Sequence, residues 1–185
     1  MIGHNGGPSM DAGAGFRRVA WTKARTALLP SLPLEVVRLR VKRAERLGLP
    51  YKTYATIRAV SGRDIVGFLF SDNALGMGRG PAVPQVAQAR LNALEGKAVR
   101  LAAVHLPKDL TAVLAQGGFE TVGRAPGLSA PWRAAREALR GLAREADVPL
   151  DGLVVVAATA LEREWSATAG FAGTIPHHLI LPEAA

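Results

Sequence analysis

Three polar residues stand where short apolar runs end, and their types suit ligand chemistry. His105 closes the run 98–105, Arg124 follows 119–123, and Thr159 follows 153–158. If those runs are parallel strands, the three residues share the edge where open α/β sheets bind ligands. A histidine can move protons there, an arginine can hold an anion, and a threonine hydroxyl can orient a polar group. The usual catalytic companions are missing. The chain has no cysteine, and it shows no G-x-S-x-G turn and no P-loop lysine. No aspartate ends the strand read at 98–105, the first in this reading. Glu162 and Glu164 are two residues apart on a helix, so they do not face one another. His177-His178 is a doublet with no acidic neighbour, and no metal or cofactor is expected. These residues lean away from catalysis without excluding it.

A second set of residues is cationic. The run Arg43–Arg58, RAERLGLPYKTYATIR, reads as helix, turn, helix. Ala44 is small enough for a close helix crossing, Gly48 can take the positive φ of a turn, and Leu49 fills the corner. Tyr54 and Ile57 return to the same core. Ahead of the turn, Leu34, Val37, Val41 and Ala44 form an apolar stripe on a helix over 34–47. Arg38, Lys42 and Arg46 recur every four residues on its other side. Like charges at that spacing repel by a few tenths of a kcal/mol, roughly, per pair. A face that carries such repulsion suits a polyanion.

The segment AERLGLPYKTYATI resembles the helix-turn-helix of the lactose-repressor family of bacterial regulators. It shares the Ala-Glu pair, the Gly-hydrophobic turn and the Tyr-polar-Thr run that opens the second helix. The resemblance covers 14 residues and implies DNA binding by a recognition helix over about 50–60. It places Tyr51, Lys52 and Thr56 at base edges and Thr53 on phosphate, with Arg58 beside them on the same helix. The match departs from the family in several places. Some forty residues precede it, Arg43 stands at a usually apolar position, Pro50 replaces a capping serine, and no hinge helix follows.

The elements that would position these groups fall into two halves. Residues 1–15, rich in Gly, Pro and Ser, read as a disordered tail. Residues 16–75 read as a basic helical domain, with helices over 16–29, 34–47, the recognition helix, and a third over Arg63–Leu75. For that last run, RDIVGFLFSDNAL, the helix fits best, with Asp64 favouring its N-terminus, and a buried strand is the alternative. Gly76–Pro84, GMGRGPAVP, reads as a linker rather than a phosphate loop, because no glycine-opened helix follows. Residues 85–172 alternate: helix 86–94, strand 98–105, helix 108–116, strand 119–123, helix 132–146, strand 153–158, helix 160–169. That order predicts a small three-layer α/β domain with a short parallel sheet. Residues 173–185 read as an extended tail. Trp21, Trp132 and Trp165 read as core or interface anchors.

Charge divides in the same way. The chain has 185 residues and a net charge of +8. Residues 1–82 hold 13 Lys/Arg and 5 Asp/Glu, while residues 83–185 hold 10 of each. The excess therefore belongs to the helix-turn-helix half and points to a nucleic-acid partner, DNA first and RNA second. With no apolar run of membrane-spanning length and no cysteine, the expected compartment is the cytoplasm and no membrane partner is expected. The leading expectation is a DNA-binding transcriptional regulator that pairs into a homodimer, with the α/β half for dimerisation or ligand sensing. One alternative is a small α/β enzyme or ligand-binding protein capped by basic helices. Another is a non-catalytic RNA- or phage-associated adaptor.

Overall fold

The computed structural model describes residues 32–181. The tail at 1–15, the helix expected at 16–29 and Trp21 lie outside the described residues. Residues 39–185 group as one compact unit, and residues 1–38 group separately. The described order is α1 (Leu34–Leu47), α2 (Tyr51–Ser61), β1 (Gly67–Ser71), α3 (Gln85–Ala93), β2 (Val99–Val104), α4 (Leu110–Ala115), β3 (Thr121–Arg124), α5 (Trp132–Glu145), β4 (Leu153–Ala157), α6 (Ala160–Arg163), α7 (Trp165–Ala169) and β5 (Gly173–Pro176).

The five strands make one sheet in the order β3-β2-β1-β4-β5, with every neighbouring pair parallel. The fold is α/β, as the alternation of elements predicts. The third helix expected over 63–75 is not formed there. Residues 67–71 are instead the central strand, paired with β2 on one side and β4 on the other. The reason is coverage of both faces. Phe68 and Phe70 point into a core with Tyr54, Ile57, Leu91 and Val113. Leu69 points into the opposite core with Leu139, Leu142 and Trp165. A strand buried on both sides loses its alternation and reads as a continuous apolar run. The segment expected as a tail from residue 173 also joins the sheet, as the edge strand β5.

The helix-turn-helix residues therefore do not form a separate domain core. Ala44, Leu47, Tyr54 and Ile57 pack in the same cluster as Phe68, Phe70, Val154 and Val156 of the sheet. Residues 76–84 run from β1 to α3 inside this compact unit rather than joining two domains.

The turn between α1 and α2 shows why its glycine is needed. Gly48 has φ +63°, and the amides of Gly48 and Leu49 close the helix onto Glu45 and Ala44 carbonyls. Arg90 reaches across the turn, its Nη2 donating to the Leu47 carbonyl at 2.5 Å and its Nε to that of Ile180 at 2.8 Å. A Cβ at position 48 would collide with that guanidinium. Gly48→Ala should thus combine left-handed strain of about 1–2 kcal/mol with displacement of Arg90. The urea midpoint measures it, and an unchanged midpoint would contradict the account.

Candidate functional site

The chain runs outward from β1 through β2 to β3, then returns to the other side of β1 for β4 and β5. The connections from β1 and β4 therefore leave in opposite directions, which makes the carboxyl ends of these two strands the switch point of the sheet, the place where open α/β sheets form their ligand crevice. His105 follows β2, Arg124 ends β3 and Thr159 follows β4, so all three strand-end residues lie on this edge. They are joined there by Asp72 and Asn73 after β1, Lys108 in the loop after β2, and Glu162 in α6.

Asp72 is the hub. Its carboxylate is 1% exposed and accepts four hydrogen bonds. Oδ1 takes the Asn73 amide at 3.0 Å and lies 2.6 Å from His105 Nδ1. Oδ2 takes the His105 amide at 3.1 Å and the Lys108 ammonium at 2.8 Å. Burial alone would push the Asp72 carboxyl up. The Lys108 ammonium, the His105 ring and the His105 amide together outweigh it and hold the group below its ordinary range. An ionised carboxylate can only accept, so His105 Nδ1 carries a proton and donates it. In the neutral ring this leaves the lone pair on Nε2, the arrangement by which a carboxylate orients a catalytic imidazole. The ring lies beside buried Trp165, with centroids 6.0 Å apart.

Glu162 is the second buried carboxylate, also 1% exposed. Oε1 accepts from Asn73 Nδ2 at 2.8 Å, and Oε2 accepts from the amides of Ala158 and Thr159 at 2.8 and 2.9 Å. Thr159 completes a capping box, its Oγ1 taking the Glu162 amide. Asn73 thus bridges the two sides of the crevice, touching Asp72 through its backbone and Glu162 through its side chain. Arg124 stands behind, its Nη1 donating to the Lys108 carbonyl at 2.9 Å and steadying the loop that carries the lysine.

Asp72, His105 and Glu162 form an O, N, O donor set, one atom of each lying within 4.8 Å of the others. Such ligands suit a divalent cation. Here the Asp72 oxygens are already saturated and the Lys108 ammonium sits where a cation would neutralise them. The set is filled from within, and proton chemistry at His105 fits the geometry better than metal chemistry.

The nucleic-acid candidates are placed differently from one another. Arg38 pairs with Glu35 at 2.8 Å. Lys42, Arg46 and Lys52 are exposed, while Tyr51 and Thr53 are half-buried, Tyr51 against the core. Thr56 is exposed, but its hydroxyl donates to the Lys52 carbonyl of its own helix at 2.9 Å. Arg58 turns toward Asp64, 3.6 Å away. Asp64 also takes Arg43 Nε at 3.0 Å and the Tyr54 hydroxyl at 2.7 Å. Burial and that hydrogen bond raise the Tyr54 phenol above its ordinary value. Arg43, at the position the resemblance makes apolar, further donates to the Lys97 and Ile65 carbonyls and crosses a shallow groove of about 400 Å³. That groove lies at the amino ends of the strands, away from the polar centre.

Four residues of the centre escape a reading by sequence. Asp72 directly follows β1, the first strand, a position that a helix over 63–75 conceals. Asn73 and Lys108 carry no motif. Glu162 does not pair with Glu164, but Thr159-x-x-Glu162 is the sequence signature of a capping box. Trp165 is buried as expected, whereas Trp132 is 59% exposed, with the Arg136 guanidinium 5.0 Å over its ring. The His177 and His178 rings contact each other edge-on at 5.9 Å.

Among the described residues no helix is long and apolar enough to cross a membrane. The chain matches no family model and no curated protein. Its fold is similar to that of a solved structure of an uncharacterized protein from Corynebacterium glutamicum ATCC 13032 Kitasato, with a TM-score of 0.45 and 16% identity, over 60% of this chain and 84% of that one.

Proposed function

We propose that the protein is a small α/β enzyme that acts on a small polar ligand in the crevice between β1 and β4, with His105 as its acid–base group. The observation that carries this reading is the 2.6 Å contact between His105 Nδ1 and a buried, saturated Asp72. A carboxylate sealed from water and held by these donors fixes the charge and tautomer of its neighbours as well as tying their loop to β1. Lys108 neutralises it from one side, and the imidazole is oriented from the other. Asn73, exposed at the mouth, offers an amide carbonyl to a ligand while its NH2 group is engaged by Glu162. The role of His105 would be to take a proton from the bound ligand at Nε2 and return it in a later step. Asp72 would stabilise the imidazolium formed in between.

General acid–base catalysis contributes about 10²–10⁴-fold. A panel of hydroxy acids, amides and phosphate esters, screened by thermal shift and then by turnover, would find the ligand. His105→Gln should lower turnover of any hit by about 100-fold or more with little change in KM. Hits that stabilise and react equally with both proteins would end the proposal. Among the described residues, β1 stands where the regulator reading expects its third helix over 63–75, and Thr56 and Arg58 are engaged in internal contacts. The exposed cations of α1 and α2 are a charged surface.

A further inference from the structure

We infer that the outward side of α1 and the first turn of α2 form a sequence-independent contact surface for a nucleic-acid phosphodiester backbone, separate from the crevice. The fold sorts the cations of this region by direction. Of those that turn inward, Arg43 and Arg58 converge on Asp64 and Arg90 is held by the Leu47 and Ile180 carbonyls, while half-buried Arg40 has no partner for its Nε among the described residues. Lys42, Arg46 and Lys52 point outward, are exposed, and make no ion pair or side-chain hydrogen bond among the described residues. Lys42 and Arg46 are one helical turn apart on α1, and Lys52 opens α2 just beyond the Gly48 turn. Glu45 is exposed on the same helix and offsets one of the three charges. A packed turn that exposes three cations unpaired among the described residues is complementary to a chain of phosphates.

A membrane-surface helix needs a contiguous apolar side to enter the headgroup layer. In α1 and α2, Ala44, Leu47, Tyr54 and Ile57 are buried in the core, while Leu34, Leu39 and Val60 are exposed, so anionic vesicles are the competing occupant that the test must separate from nucleic acid. Base-specific reading needs side chains free to enter a groove. Thr56 is bonded to its own helix and Tyr51 leans on the core, so the surface can hold a backbone but discriminates poorly among bases.

The test is fluorescence anisotropy of the full chain with a short labelled DNA duplex and an RNA hairpin, over a salt series from about 50 to 200 mM. The wild type should bind both, with log K falling linearly in log salt. The triple variant Lys42→Ala, Arg46→Ala, Lys52→Ala should lose at least about tenfold in affinity at low salt and flatten the slope by about 3 units. A control with the same loss of net charge, Arg79→Ala, Arg133→Ala, Arg144→Ala, should bind like wild type, as should His105→Gln. All variants are checked for an unchanged melting transition. Equal loss in both triple variants, absence of binding to either polymer, or binding only to anionic phosphatidylserine vesicles would overturn the inference. Tight binding to one DNA sequence over scrambled ones would overturn its sequence-independent character.

Discussion

Asp72→Ala is expected to destabilise the folded protein by about 3–5 kcal/mol, more than any other single change at the polar centre. The substitution removes the acceptor of four hydrogen bonds at once. It leaves the Lys108 ammonium, only 9% exposed, without its counter-charge. It also frees the loop after β2, which is held to β1 through both the amide and the ring of His105. Urea unfolding measures the loss, and a cost below about 1 kcal/mol, the worth of a surface pair, would show that the centre is not the tie between β1 and β2. The double change Asp72→Asn with Lys108→Met should be milder than Asp72→Ala, because it removes the stranded charge along with its partner. The pH dependence has a definite sign. The folded Asp72 carboxyl ionises below its ordinary value of 3.8. Its contribution is therefore complete above that pH and lost as pH falls through the folded value, because the unfolded chain then binds the proton more readily. Wild-type stability should fall more steeply below about pH 4 than that of Asp72→Asn.

Glu162→Ala should have the next largest effect, about 2–4 kcal/mol. Its carboxylate satisfies the Ala158 and Thr159 amides and the Asn73 side chain, and it closes the capping box that starts α6. Alanine leaves three donors, on half-buried Ala158 and on exposed Thr159 and Asn73, without that partner; an unmet buried donor costs about 1–3 kcal/mol, and water entry at the exposed ones reduces the sum. Glu162→Gln should be milder, since its carbonyl still accepts from one side. Amide hydrogen exchange gives the local signature: Ala158 and Thr159 should exchange faster in Glu162→Ala than amides within β4. If those two amides keep their protection, the carboxylate is not what orders this loop. Because Asn73 links Glu162 to the β1 loop, the same variant should also weaken whatever ligand stabilises the wild type.

Some of this architecture is legible residue by residue. Leu153–Ala157 is continuously apolar and rich in β-branched valine, the pattern typical of a strand covered on both faces. α5 declares itself by Leu139, Leu142 and Ala143 on one side and arginines on the other. His105, Arg124 and Thr159 could be placed at one sheet edge because the alternation of elements is local information. Gly67–Ser71 is the contrary case. Its pattern is the same for a buried helix turn and a central strand, and the choice depends on partners 32 and 86 residues further along. With that choice wrong, Asp72 falls in mid-helix and the centre cannot be assembled.

The sequence by itself determined the α/β class, the outward basic stripe of α1, the turn at Gly48 and three of the strand-end polar residues. All of these follow from periodicity and from residues whose backbone preferences act within a few positions. Only the tertiary structure decided that β1 lies at the centre of the sheet, that α1 and α2 pack on it as part of one core, and that Asp72, His105, Lys108 and Glu162 meet. Those outcomes depend on which faces are covered by distant segments, on charge pairs across 33 and 36 residues of chain, and on the Asn73–Glu162 hydrogen bond across 89. Burial energy is a property of the neighbours a residue acquires, which its own local sequence does not state.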